Sequence, residues 1–501
     1  MESLARRMAD STPRRVAIVG GGVTGLTAAY DLHRKRPDLE LRLFEARAEL
    51  GGNIRTDRRE GFVVDAGPDS FVVTKPDALT LCRELGLEPE LVATEDTARH
   101  VYVAHEGGLT LMPGGMALAV PTRIGPLLET PLLSLGGKLR MLLEPFVPRR
   151  RSSGDESMFD FLRRRLGSEG ATRLAGPLLS GIYAGDLAEL SMESTFPQLV
   201  ELEDRYGSLI RGFLALELKR GGGPDARPGI GSVVRWLRRS GAAQAASPFR
   251  SLRSGMSRLV EALAATLPPG AVLRCAAVTE IERVADGTFR VATSTESFFA
   301  DAVVLATPAH VAAKLVPDTE VSRELARVPY VSTATVFLGL DLAQVKSDLR
   351  GFGFIVPPGE ASILAGTWVS SKWRGRAPDG AALVRAFVGG ARDSDRVCSS
   401  TDEELVAFSK GELERLMGPL GAPRFSRVYR YENGNPQPRV GHGALLERVR
   451  ARCAATLPGL HLVGAAYDGV GIPDCVRQAR GAAAAIVKAL DDRGTVRLTA
   501  R

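Results

Sequence analysis

The sequence predicts an α/β chain. A domain with a parallel sheet is assembled from separated segments, with an inserted α+β domain and a helical subdomain between them. Three observations predict it. A short apolar run near the N-terminus ends in glycines and leads into a helical pattern. Helical patterning broken by Pro and Gly dominates from about 80 to 250. Apolar runs that end in turns return near 300 and again near 465.

Taken in order, Val16-Ala17-Ile18-Val19 reads as a buried parallel strand. Thr24 to Lys35 follows, with apolar residues at 26, 28, 29 and 32 on one helical face, and Pro37 stops it. Leu41-Arg42-Leu43-Phe44 is the second strand. Asp155 to Leu166 reads as a helix with acids in its first turn and Gly167 just past its end. The stretch 220–230 is a loop by composition. Ala271 to Thr293 reads as strands with a turn at Asp286-Gly287, and Asp301 to Pro308 as a buried strand ending in a turn. Leu460 to Gly464 is a strand and Asp474 to Leu490 an Ala-rich helix. No solenoid period is present. The boundaries that follow are 1–80, 250–310 and 450–495 for the parallel-sheet domain. Residues 81–116, 205–249 and 311–449 form the second domain, and 117–204 the helical subdomain.

Composition narrows the function classes. The 501 residues are 44% hydrophobic and 25% charged, as in an ordinary globular protein. The net charge is +7, but Lys and Arg are spread widely and aromatics are only 6%, which argues against nucleic acid. The basic clusters at 149–151 and 163–165 read as solvated faces. Five cysteines, an odd count with no C-x-x-C, read as free thiols, and neither Cys nor His spacing provides a metal site. No G-x-S-x-G elbow appears. Met1 to Arg15 lacks the apolar core of a signal peptide, and no apolar run reaches the roughly 18 residues needed to span a bilayer. These features predict a cytoplasmic protein, with room for peripheral contact at the inner membrane face.

The chemistry sits in the glycines. Gly20-Gly21-Gly22-Val23-Thr24-Gly25 satisfies G-x-G-x-x-G between a strand and a helix, and Glu45 lies twenty positions beyond Gly25. Gly20 allows the tight turn, Gly22 lets the backbone approach a pyrophosphate, and Gly25 lets helix and strand pack closely. The helix N-terminus at Thr24 offers free N–H groups to phosphate, and Glu45 would accept from ribose hydroxyls. After Glu45-Ala46-Arg47 comes a second glycine pair, Gly51-Gly52. Far along the chain, Gly464 opens a glycine-rich strand-to-helix turn through Val470-Gly471-Ile472. A long ligand held at both ends of one chain suits FAD, with the flavin near 470–472. The fold is then a discontinuous Rossmann-type FAD-binding domain with an inserted α+β substrate domain and a helical subdomain.

With those residues in hand, the chain resembles the protoporphyrinogen oxidase family, relatives of the monoamine oxidases. The general motifs are at 16–26 and 45–52. The narrower ones are Asp65-Ala66-Gly67-Pro68-Asp69-Ser70-Phe71, Ser180-Gly181-Ile182-Tyr183-Ala184-Gly185-Asp186 with Thr195-Phe196-Pro197, and Gly469-Val470-Gly471-Ile472-Pro473-Asp474-Cys475. The resemblance implies non-covalent FAD and oxidation of protoporphyrinogen IX to protoporphyrin IX in haem biosynthesis, with coproporphyrinogen III to coproporphyrin III as the alternative. Hydride would pass to flavin N5 in three two-electron rounds, dioxygen would be the acceptor and hydrogen peroxide the product. No side chain is assigned a catalytic role, since the cofactor carries the chemistry.

The resemblance also places residues. Asn53, Gly67, Pro68, Asp69, Ser70 and Tyr431 join the FAD site, and Val278 meets the adenine. Arg99 pairs with a substrate propionate, which suits an Arg fork. Ile355 and Phe387 sandwich the macrocycle, and Gly185 walls the pocket. Two departures stand out. Tyr431 takes the place of a usual Trp, with Pro438 where relatives have Tyr, and Asn53 replaces the Arg of amine oxidases. The rivals are an amine oxidase or carotenoid desaturase on the same fold, or a non-catalytic FAD-binding protein. A homodimer is compatible with the sequence.

Overall fold

A computed structural model describes residues 14–95, 100–118, 120–150, 154–220, 228–237 and 247–499. Strand β1 (Arg15–Val19) leads through the glycine turn into helix α1 (Val23–Lys35), and β2 (Glu40–Phe44) returns beside β1. Val16, Ala17 and Ile18 are fully buried because helices cover both faces of this sheet. Helix α1 buries the predicted face, Leu26, Ala28, Ala29 and Leu32, and ends at Lys35, ahead of Pro37.

The parallel sheet runs Val272–Leu273, β2, β1, Ala302–Leu305, Leu460–Leu462. Neighbouring strands thus come from the start, middle and end of the chain, so the intervening segments must leave this unit and return. One face is buried under α1, Ser257–Ala265 and the C-terminal helix Ile472–Thr499. The other is buried under the hairpin through Phe289 and Val291 and under the helix His442–Thr456.

A seven-stranded sheet stands apart from it. Its order is Phe425–Pro436, Tyr330–Asp341, Ala381–Gly389, Ala365–Trp368, Gly353–Ile355, Val101–His105, Gly108–Leu111. Two of these strands come from the stretch that patterning marks as helical. Their partners lie far along the chain, and β structure of this kind is decided by those partners rather than by local preference.

The helices between 124 and 237 share a separate core, around Phe161, Leu162, Leu166, Leu174 and Leu199. The helix expected from Asp155 begins at Met158, where Ser157 accepts from the Asp160 N–H. Gly167, at φ 82°, kinks it instead of ending it. The basic cluster at 163–165 is not one solvated face. Arg165 is fully buried against Glu144, while Arg164 pairs with Glu156 and Glu203. Glu144 also accepts from Ser208 Oγ and from the N–H groups of Leu209 and Ile210, so one buried carboxylate caps the helix Leu209–Arg220 and neutralises an arginine. All five cysteines are free. Among the described residues no helix is long and apolar enough to cross a membrane.

Candidate functional site

The first glycine turn and the second glycine pair are in contact. Gly22 bridges Gly51, and the Gly51 N–H donates to Gly21 O at 2.8 Å. At Gly25 a Cβ would lie 1.9 Å from Gly20 O, so only glycine lets α1 start this close to the turn. Gly22 is the N-cap and no side chain caps α1, which leaves the first N–H groups for an anion. Val23 and Thr24 are buried behind them. Glu45 is buried, and its carboxylate already accepts from Gly21 N at 2.7 Å and Arg47 N at 2.9 Å. It therefore shapes the turn as well as offering its remaining lone pairs. Ala46 and Arg47 are exposed beside it. The segment leading to Val278 runs alongside, with Ala276 N donating to Glu45 O and Cys275 N to Arg47 O.

At the other end, Gly67 lies against Asn53 and Tyr431: a Cβ there would be 2.0 Å from Asn53 O and 3.1 Å from Tyr431 Oη. Asn53 Nδ2 reaches Gly434 O at 3.5 Å. The C-terminal turn packs beside the first one, with Ile472 and Cys475 in the same buried core as Val23 and Leu26. Val470 and Ile355 both pack against the core of the helices between 124 and 237.

The residues present fit a flavin dinucleotide. Gly464 is buried, yet a Cβ there would meet no heavy atom within 4 Å, so space lies open beside the last strand. Two buried polar atoms at the site lack protein partners, Tyr431 Oη and Thr307 Oγ1, the latter beside Gly20. Burial pushes the Tyr431 phenol up to about 12, so it stays a neutral donor. The first turn with Glu45 would hold the pyrophosphate and ribose, Val278 the adenine, and Tyr431 with 470–472 the flavin.

The face of the seven-stranded sheet towards this cradle carries one cross-strand row, Ile355, Ala365, Phe387, Thr335 and Tyr429. Thr335 Oγ1 donates to Ala66 O at 2.8 Å, tying the row to the Gly67–Ser70 segment. Ile355 and Phe387 thus share a face with only Ala365 between them. Gly185 sits at the edge, where a Cβ would be 2.4 Å from Gln437 Oε1 and 2.7 Å from Leu190 Cδ1. Its first constraint is the fit against Gln437 and Leu190. Arg99 lies outside the described residues.

Sequence reasoning missed a buried ionic cluster on this same face, where the Arg385 guanidinium lies 4.3 Å from the Phe387 ring centroid. Asp69 takes Lys372 at 3.1 Å and Arg385 at 3.0 Å, and Arg385 also donates to Gly67 O at 3.1 Å. Burial works against the Asp69 anion, but Lys372 and Arg385 outweigh it and hold its carboxyl well below the usual range. Burial lowers the Lys372 pKa against the pull of Asp69. Arg376 pairs with Asp65 at 2.8 Å beside them. The available signal was Arg385 itself, a charge in the middle of a strand that is otherwise almost wholly apolar.

A parallel sheet with two touching glycine turns, beside a second sheet carrying Phe387 and Tyr429, is the architecture of a dinucleotide-binding flavoprotein. The comparisons with known proteins are specific. The model of the flavin-containing amine oxidoreductases matches residues 23–487. Coproporphyrinogen III oxidase of Bacillus subtilis is 34% identical over 94% of this chain and 97% of its own length. Protoporphyrinogen oxidase of Bos taurus is 31% identical over 95% and 98%. A crystal structure from Exiguobacterium sp. 255-15, provisionally assigned as a protoporphyrinogen oxidase, superposes with a TM-score of 0.81 at 34% identity, covering 95% of this chain and 99% of that one. Putrescine oxidase with bound putrescine, at 16% identity and a TM-score of 0.66, shares the fold alone.

The chain belongs to the flavin-containing amine oxidoreductases, and FAD is its cofactor. The resemblance carried by the motifs at 65, 180 and 469 is borne out by these relatives.

Proposed function

We propose that this chain oxidises coproporphyrinogen III to coproporphyrin III, with dioxygen as acceptor and hydrogen peroxide as product. The observation that carries the reading is the near full-length likeness to three bacterial coproporphyrinogen III oxidases, at 34%, 31% and 33% identity. Protoporphyrinogen oxidases of cattle and plants follow at 31% and 30%. The motifs alone put protoporphyrinogen IX first, and the relatives favour the other porphyrinogen.

The site's chemistry supports a porphyrinogen. Ile355 and Phe387 offer apolar surface to a tetrapyrrole, puckered as the substrate and flat as the product, and Val470 packs against the same core as Ile355. FAD, when bound, supplies a two-electron acceptor. The chain's own work is to seat the macrocycle, orient it and exclude water. Arg99 is assigned a propionate, and Gly185 the pocket wall. On this reading 1–80, 250–310 and 450–495 form the FAD-binding domain and the remaining segments build the substrate side.

The test is oxidation of each porphyrinogen by the yellow purified protein, followed by porphyrin fluorescence with peroxide measured in parallel. Faster coproporphyrin formation supports the proposal. Faster protoporphyrin formation reverses the substrate order. No turnover of either by flavin-loaded protein refutes the reading and returns amine and carotenoid substrates to consideration.

A further inference from the structure

We propose that Arg392 receives a carboxylate of the substrate beside the Ile355–Phe387 face and favours the porphyrinogen with more carboxylates. The inference rests on the porphyrinogen reading above.

Strand Ala381–Gly389 carries Phe387 towards the cradle and then turns sharply, with Gly389 at φ 91° and Gly390 at φ 68°. The turn is pressed onto the Gly185 loop. Ala391 N donates to Ala184 O at 2.8 Å, and a Cβ at Gly390 would lie 2.4 Å from that same oxygen. Two glycines are required there, and together they fix where the next side chain starts. Arg392 then donates from Nη2 to Val356 O at 2.7 Å, the carbonyl just after Ile355. Its guanidinium therefore sits where the Ile355 strand, the Phe387 strand and the Gly185 loop converge.

The charge of Arg392 is unspent. Among the described residues no carboxylate pairs with it, whereas nearby arginines are taken: Arg385 by Asp69, Arg396 by Asp393 and Arg439 by Glu189. Its neighbour Asp393 is also committed to the N-terminus of the helix Ser394–Ser399, accepting from Arg396 N. Arg392 is solvent-exposed, yet the packed atoms around it desolvate the cation and lower its pKa. A guanidinium that is crowded, open to solvent and without a counterion gains most from a bidentate carboxylate. Val356 O takes one N–H direction and leaves the rest of the fork free. Coproporphyrinogen III carries propionates on the two pyrroles where protoporphyrinogen IX carries vinyls, so an additional cation beside this face discriminates between them.

The test uses the flavin-loaded protein with Arg392→Gln and Arg392→Lys, assayed on coproporphyrinogen III and on its methyl ester. For Arg392→Gln the loss on the free acid should be about 10- to 100-fold in kcat/KM, the scale of one charged hydrogen bond, and should fall on KM more than on kcat. Arg392→Lys should recover part of it, because the charge returns without the fork. The ester should be handled alike by all three proteins. Flavin content and unfolding midpoint report that the variants are folded. An unchanged KM for Arg392→Gln on the free acid, or an equal loss on acid and ester, overturns the assignment while leaving the porphyrinogen reading intact. A parent protein inactive on every porphyrinogen overturns both.

Discussion

Replacing Asp69 with Asn tests the buried cluster beside Phe387. Asp69 lies between Lys372 and Arg385 at 3.1 and 3.0 Å, and all three side chains are shielded from water. Arg376 and Asp65 stand next to them and balance each other. The amide is close in shape and can still take the Ser70 hydroxyl, which is 2.7 Å from Oδ1. It leaves Lys372 and Arg385 buried without a counterion. Breaking a buried pair from one side costs about 3–5 kcal/mol, most of it the uncompensated charge. The assay is urea unfolding at neutral pH, with the midpoint read at constant slope. The pH dependence has a fixed sign. The Asp69 pKa is lower folded than unfolded, where a free carboxyl titrates near about 3.9. Its stabilisation is therefore complete above the unfolded value and is lost only as pH falls through the lower folded one. The gap between parent and Asp69→Asn should hold from pH 7 to about pH 5 and close only below about pH 4. A variant within about 0.5 kcal/mol of the parent, or a gap that closes by about pH 6, refutes the reasoning.

Three further outcomes follow from the geometry. Gly25→Ala puts a methyl 1.9 Å from Gly20 O, so the protein should purify without its flavin, seen as a lost visible band per mole of protein; full flavin retention contradicts the close-packing argument. Tyr431→Phe removes a hydroxyl that has no protein partner, so the unfolding midpoint of the flavin-free protein should not move while FAD binds about 2- to 10-fold more weakly; equal FAD affinity means the hydroxyl does not serve the cofactor. Glu144→Gln leaves Arg165 with Glu203 alone, at 3.4 Å, and weakens the cap of the helix Leu209–Arg220, so urea stability should fall by about 1.5–3 kcal/mol, and a loss under about 0.5 kcal/mol contradicts the assigned role.

What could be read in the sequence depended on whether its physical cause was local. The turn at Gly20–Gly25, the face of α1, the Pro37 stop and the Asp286-Gly287 turn all follow from neighbours within a few residues, and the structure has them. The residues assigned to the two ends of a long cofactor also come from motifs, and the fold sets Gly22 against Gly51, Gly67 against Asn53 and Tyr431, and the turn before Cys475 beside Val23. Strands 101–105 and 108–111 were hidden because their sheet is supplied by residues beyond 330. Arg165, Lys372 and Arg385 were hidden for the same reason. A charge reads as a surface residue until the distant chain that buries and pairs it is known. Arg392 reads as an ordinary loop arginine until Val356 and Ala184 are seen to converge on its turn.

The central claim is that this chain moves electrons from a porphyrinogen to its flavin. The most direct measurement is anaerobic mixing of the flavin-loaded protein with coproporphyrinogen III, with the flavin's visible band and porphyrin fluorescence recorded together. The account predicts that the band bleaches on mixing, one two-electron round per flavin and without porphyrin fluorescence, and that fluorescence rises and the band recovers when admitted air completes the three rounds. A band that persists with either porphyrinogen but bleaches with an amine would contradict it.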